Sequence, residues 1–200
     1  MMSRRSLSAL PVLGGLLCLS ISLSSSSFAA GTPPKSEPPA SMPSSMQPPA
    51  KPDSAAQAAE TRTRAKQLYE KGWKLTKEAK AEFGKGKEKD AKKKLEKALK
   101  NFDQATQLWP EFHEAWNMVG YTSRKTGDLK RAFAAYDRAL TLAPDYDEAH
   151  EYLGEAYLMS GDLKRAKEQL EWLKAHDAEG AAELEASIQK VEAGGTATGW

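Results

Sequence analysis

The chain has 200 residues, 40% of them hydrophobic and 28% charged, with a formal net charge of +2 and one cysteine, Cys18. A single cysteine excludes a disulfide framework and a thiolate metal site, so stability must come from packing. Charge is divided unevenly: residues 61–100 hold fifteen Lys/Arg against six Asp/Glu, and residues 101–200 hold ten against eighteen, so near-neutrality hides a dipole of +9 against −8.

Residues 1–29 read as an export signal. Arg4 and Arg5 precede an apolar stretch from Leu7 to Leu23, and Ser27, Ala29 and Ala30 supply the small residues a signal peptidase needs. Pro11, Gly14 and Gly15 weaken that stretch, which falls short of the roughly 20 apolar residues of a spanning helix, so cleavage is preferred over a retained anchor. Ser3-Arg4-Arg5 resembles the start of a twin-arginine signal without its fuller pattern, and the general secretory route is preferred. Leu17 stands where a lipoprotein signal places a small residue, which argues against lipidation at Cys18. The mature chain is then expected in the periplasm, with secretion as the alternative.

Residues 30–53, rich in proline and serine, have no apolar period and are expected to form a disordered tether. Residues 54–112 are expected to form a long helical hairpin. Ala65, Leu68, Tyr69, Gly72, Trp73, Ala79 and Phe83 lie near a 3.6 period, and Ala91, Leu95, Ala98, Leu99, Phe102, Ala105 and Leu108 do so again. The stretch GKGKEKD, residues 84–90, is the turn between them.

The hexapeptide GDLKRA then occurs twice, at residues 127–132 and 161–166, an interval of 34. Its surroundings repeat too: EAWNMVGY at residues 114–121 is matched by EAHEYLGE at 148–155. Gly127 and Gly161 suit a left-handed helix end, and Asp128 and Asp162 can accept hydrogen bonds from the amides that open the next helix. Small Gly120, Ala132, Ala139, Gly154 and Ala166 allow two antiparallel helices to cross closely. Pro144 ends one pair and leads into the next. Two helical units follow, 113–146 and 147–180, then a capping helix over 181–193 carrying Leu184, Ile188 and Val191, and a flexible tail, 194–200.

This pattern resembles the tetratricopeptide repeat family of stacked helix–turn–helix units. Trp116, Val119, Gly120, Gly127, Ala132, Tyr136, Ala139 and Pro144 carry the resemblance in the first unit. In the second it rests on Leu153, Gly154, Tyr157, Gly161, Ala166, Leu170 and Leu173, while His150 replaces Trp116 and Ser123 stands where the second unit has Tyr157. A divergent unit precedes them. Gly86, Ala91, Leu95 and Ala98-Leu99 reproduce the spacing of Gly127, Ala132, Tyr136 and Ala139-Leu140, but its closing Pro110 comes seven residues late. The resemblance implies an all-α solenoid and a non-enzymatic interaction module.

It also implies that the first helix of each unit lines a groove for a partner segment. The corresponding positions are Glu114, Asn117, Met118, Tyr121 and Arg124, then Glu148, Glu151, Tyr152, Glu155 and Met159. The Lys/Asn pattern with which some family members hold a terminal carboxylate is absent. Carboxylates beside tyrosines and methionines suit a basic segment with apolar anchors, and also suit a merely soluble helix face. A second candidate surface is the basic patch of Lys92, Lys93, Lys94, Lys97 and Lys100, read either as a solvated face or as a contact for an anionic envelope surface. No aromatics interleave with these lysines, so nucleic acid is not expected.

His113-Glu114 and His150-Glu151 begin like a zinc motif whose second histidine falls four residues on, but Asn117 and Gly154 stand there. No Walker-type glycine loop and no nucleophile elbow is present. The sequence supports neither a metal site, a cofactor nor a catalytic activity.

Overall fold

A computed structural model describes residues 54–197 of the chain, as seven α-helices with no strand among the described residues. The segments expected to be an export signal and a tether, together with residues 198–200, lie outside the described residues. The helices are α1 (Ala55–Gly84), α2 (Glu88–Leu108), α3 (His113–Thr126), α4 (Leu129–Leu142), α5 (Asp147–Met159), α6 (Leu163–His176) and α7 (Ala178–Glu192). They pair as α1–α2, α3–α4 and α5–α6, with α7 closing on α5 and α6. This is an all-α solenoid of stacked helical hairpins.

The local chemistry of each hairpin turn follows from a glycine and what precedes it. Gly127 has φ +94°, so the amide of Asp128 reaches back to the carbonyl of Ser123 at 2.9 Å. Gly161 has φ +81° and Asp162 bonds the carbonyl of Tyr157 at 2.9 Å in the same way. These left-handed ends satisfy carbonyls that a terminating helix leaves open. Asp128 Oδ1 then accepts the amide of Arg131, and Asp162 Oδ1 that of Arg165, each at 3.0 Å. GDLKRA is thus a helix stop and the next helix's N-cap, written twice.

Gly86, with φ +74°, makes the same kind of turn between α1 and α2, and the amide of Lys87 bonds the carbonyl of Glu82 at 3.0 Å. Ser54 caps α1, its hydroxyl accepting the amide of Gln57. From that turn onward the hairpin departs from the expected correspondence. Counting from Gly86 puts Leu95 in the place of Tyr136, but the packing puts Phe102 there. A Cβ on Gly72 would lie 2.6 Å from the Phe102 ring, as one on Gly120 would lie 2.4 Å from the Tyr136 ring. Phe102 and Tyr136 are one 34-residue period apart, as are Pro110 and Pro144. Leu95 instead packs with Ala79, Ala91 and Phe83 in a separate cluster beside the turn. The additional length is therefore two turns at the turn end of both helices. The tip extends about 10 Å beyond the neighbouring unit's turn.

Three contacts fix one unit on the next. Trp116 is buried among Phe102, Val119, Ala135 and Ala139, in the apolar cluster that joins the hairpin to the first regular unit. Its indole Nε1–H donates to the carbonyl of Pro110 at 2.9 Å. Arg131 of α4 forms an ion pair with Asp103 of α2. At the far end Leu184 and Ile188 of α7 cover Leu158, Leu170 and Leu173. The capping helix begins at Ala178, three residues earlier than the spacing suggests, because Asp177 caps it by accepting the amides of Glu179 and Gly180. The segment expected to trail away turns back instead: Gly194 has φ +83°, Gly195 bonds the carbonyl of Lys190 at 2.9 Å, and Ala197 packs on the last cluster.

Candidate functional site

The first helices α3, α5 and α7 lie side by side and run parallel. At their starts His113 packs edge-on to Tyr146, with ring centres 4.9 Å apart. At mid-length Tyr121 meets Tyr152 at 5.2 Å, and near the ends Arg124 lies 2.5 Å from the carboxylate of Glu155. A Cβ on Gly154 would lie 2.5 Å from Leu184, and one on Gly180 would lie 3.5 Å from Glu151, so α7 keeps the same direction against α5. The face they share is where the sequence places a partner.

Its floor is aromatic. Tyr121 and Tyr152 are half-buried, with the Arg124 guanidinium 5.5 Å from one ring centre and 5.7 Å from the other. Lys125 Nζ stands 5.2 Å from the Tyr121 ring. Burial raises both phenols, with the Glu151 and Glu148 carboxylates adding to the effect at Tyr152. Neither tyrosine carries charge at neutral pH, so they act as apolar plates with polar tips.

Not every residue singled out from the sequence is open to a ligand. Asn117, Met118 and Arg124 are buried at 1–3% exposure. The reason is geometric: a helix packed against neighbours on both sides offers only a narrow strip outward, and these three point into the packing. Glu114, Tyr121, Glu148, Glu151, Tyr152, Glu155 and Met159 remain partly or fully exposed. Arg124 still shapes the site from beneath, holding Glu155 by an ion pair and lying 4.0 Å from the sulfur of Met159.

The electrostatics differ from a uniformly acidic groove. Burial, then the nearby carboxylates of Glu155 and Glu183, push Glu151 up to about 8. Burial, then the Arg124 charge beside it, bring Lys125 down to about 7. Both groups are held back from full ionisation near neutral pH. Lys125 and Lys190 flank a pocket of about 150 Å³ that also involves Arg124, Glu155 and Met159. Counting charge by halves of the chain missed Lys125 and Lys190, which sit in an otherwise acidic half. The signal that would have found them is their place in the last turn of α3 and α7.

The basic patch lies on the exposed side of α2. Lys92, Lys93, Lys97 and Lys100 are exposed, whereas Lys94 is tied to Glu78 of α1 at 2.6 Å and so braces the hairpin. No group of three or more His, Cys, Asp and Glu is placed to hold a metal among the described residues, and no helix there is long and apolar enough to cross a membrane.

Two family models, each described as a tetratricopeptide repeat, match the chain, one over residues 76–147 and the other over residues 124–188. No curated protein shows a significant match.

Proposed function

We propose that this chain, a member of the tetratricopeptide repeat family, is an interaction adaptor that holds a segment of another protein on the shared face of α3, α5 and α7. The observation that carries this reading is the Tyr121–Tyr152 pair, half-exposed at 5.2 Å and ringed by ionisable groups. Flat aromatic surface with little side-chain freedom to lose is what an interface anchor needs. The exposed Glu148 beside it suits a basic side chain on the partner. In this reading the protein carries out no reaction and takes no cofactor. The N-terminal signal-like segment supports export, which places the adaptor in the periplasm or outside the cell, with residues 30–53 as its tether.

The test is capture from envelope extract on the mature chain, against a matched chain carrying Tyr121→Ala, Glu148→Lys and Tyr152→Ala, both checked for equal helicity. A protein retained by the first and lost by the second supports the shared face as the working surface. Equal retention by both refutes it.

A second reading has its own observation. Lys92, Lys93, Lys97 and Lys100 are exposed on a hairpin whose tip extends about 10 Å beyond its neighbour. That geometry suits contact with an anionic envelope surface, with the stack as a spacer. Such binding would fall steeply as salt is raised, and binding that persists in high salt would exclude it.

A further inference from the structure

We infer that α1 carries a second docking surface, which takes an acidic segment of a partner protein with one apolar side chain among its carboxylates. The inference goes beyond the reading of the Tyr121–Tyr152 face and stands on α1 alone.

Arg62, Lys66, Trp73, Lys77 and Lys80 follow one another at intervals of four, seven, four and three residues, which sets them within about 60° of one side of α1. All five are exposed. Arg62 and Lys66 lie over the Trp109 ring, 5.6 and 5.8 Å from its centre, a contact that steadies both side chains. None of the four cations forms an ion pair with a described residue. The carboxylates of α1 nearest Lys77 and Lys80 are engaged elsewhere, Glu78 with Lys94 at 2.6 Å and Glu82 with Lys85 at 3.3 Å. Trp73 is the one large hydrophobic side chain left exposed among the described residues, at 37%. Its place in the apolar period suggests burial, but its neighbours Gly72 and Thr76 take the packed positions.

The surroundings select the occupant. Tyr69, at the edge of the same stripe, packs on Phe112 with ring centres 5.1 Å apart. Its phenol is pushed up to about 12 by burial, then by the Glu148, Glu114 and Glu70 carboxylates. A flat anionic bilayer pressed onto the stripe would therefore meet Glu114 and Glu148 as well. A single chain laid along α1 meets the four cations and Trp73, with only Glu70 at its edge. From Arg62 to Lys80 is eighteen residues of helix, about 27 Å, a length that about eight residues of extended chain cover. Two cations stand at each end of that length, with the indole between them. The complement is a segment with carboxylates towards both ends and an apolar side chain in the middle.

Anisotropy titrations with three dye-labelled peptides of about ten residues test this. One carries two glutamates at each end and a central leucine. The second has serine in place of the leucine, and the third has lysines in place of the glutamates. The first should bind the chain at least about ten-fold more tightly than either of the others. Lys77→Glu/Lys80→Glu and Trp73→Ser, each checked for unchanged helicity, should weaken it by about ten-fold or more. Lys92→Glu/Lys93→Glu, which alters the net charge equally but on α2, should not. Equal loss in the α2 variant, no preference over either other peptide, or no binding at all overturns the inference. It is also overturned by tighter binding to phosphatidylglycerol vesicles that depends on Lys77 and Lys80, or by self-association in sedimentation that the same substitutions abolish. The adaptor reading survives each of these outcomes, since none of the variants alters Tyr121 or Tyr152.

Discussion

Trp116 and His150 make the same hydrogen bond one repeat apart. The indole Nε1–H of Trp116 donates to the carbonyl of Pro110, and the imidazole Nε2–H of His150 donates to the carbonyl of Pro144, each at 2.9 Å. The prolines open the turn before each first helix, and their carbonyls take a ring N–H as donor. What this position requires is a flat ring bearing an N–H. His150 adds a stack on Trp172, with ring centres 3.6 Å apart.

Trp116→Phe keeps most of the packing and removes the donor, so it should cost about 1–3 kcal/mol as the carbonyl loses its partner. Trp116→Ala should cost about 3–5 kcal/mol, since the ring is nearly fully buried. Urea denaturation with an unchanged slope checks both. A Phe variant with wild-type stability would show the bond to be dispensable.

Gly120 lies against the Tyr136 ring so closely that a Cβ would sit 2.4 Å from it. Gly120→Ala should therefore destabilise by about 1–3 kcal/mol through overpacking, although alanine favours helices. Combining it with Tyr136→Leu, the residue found one period later at Leu170, should recover part of that loss. Thermal unfolding of the single and double variants tests the pairing, and strict additivity would argue against it.

Glu155→Gln removes the carboxylate that faces Arg124, whose side chain is 1% exposed against 28% for Glu155. An uncompensated buried guanidinium is costly, while partial solvation of the partner softens the effect. The expected loss is about 1–3 kcal/mol. Arg124→Met with Glu155→Gln should be less harmful than Glu155→Gln alone, and a double-mutant cycle measures the difference.

Glu151 carries a pH signature. Its folded pKa is raised to about 8 from an ordinary carboxylate value of 4.5. Between those values the folded state holds a proton that the unfolded chain has released, so Glu151 makes stability fall as pH rises from 4.5 to 8. Glu151→Gln should raise Tm at pH 8 and change little at pH 5, where the native side chain is already neutral. Lys125 acts in the opposite sense higher up. Lowered to about 7 from 10.5, it makes stability rise with pH between those values. A Glu151→Gln chain with the wild-type pH profile would refute the burial of that carboxylate.

The regular units were legible because they rest on short-range chemistry. Gly127, Asp128, Gly161 and Asp162 each act on residues within a turn of themselves, and spacing alone reveals that. The hairpin was harder. Gly86 marks its turn correctly, but which residue faces Gly72 depends on where the added turns sit, and two helices of similar pattern can be matched from either end. Only the contact with Phe102 decides it. The site was half legible for a related reason. Helical spacing put Asn117, Met118 and Arg124 on the same helix as Tyr121, but how far each is covered by α5 is a property of the stack.

The lengthened hairpin implies a grammar for how such a protein can change size. Seven residues turn a helix by nearly two whole revolutions, within about 20° of the starting orientation. Adding that number to both partners keeps Gly72 against Phe102 and sets Leu95 against Ala79 in a repeat of the same seam. One extra residue on either side would swing the apolar stripe by about 100° and expose it. Length in this unit is therefore quantised. Grafts or trims in matched steps of seven should yield a family of well-folded chains whose basic tip reaches outward by about 10 Å per step, giving an adjustable molecular arm on an unaltered body.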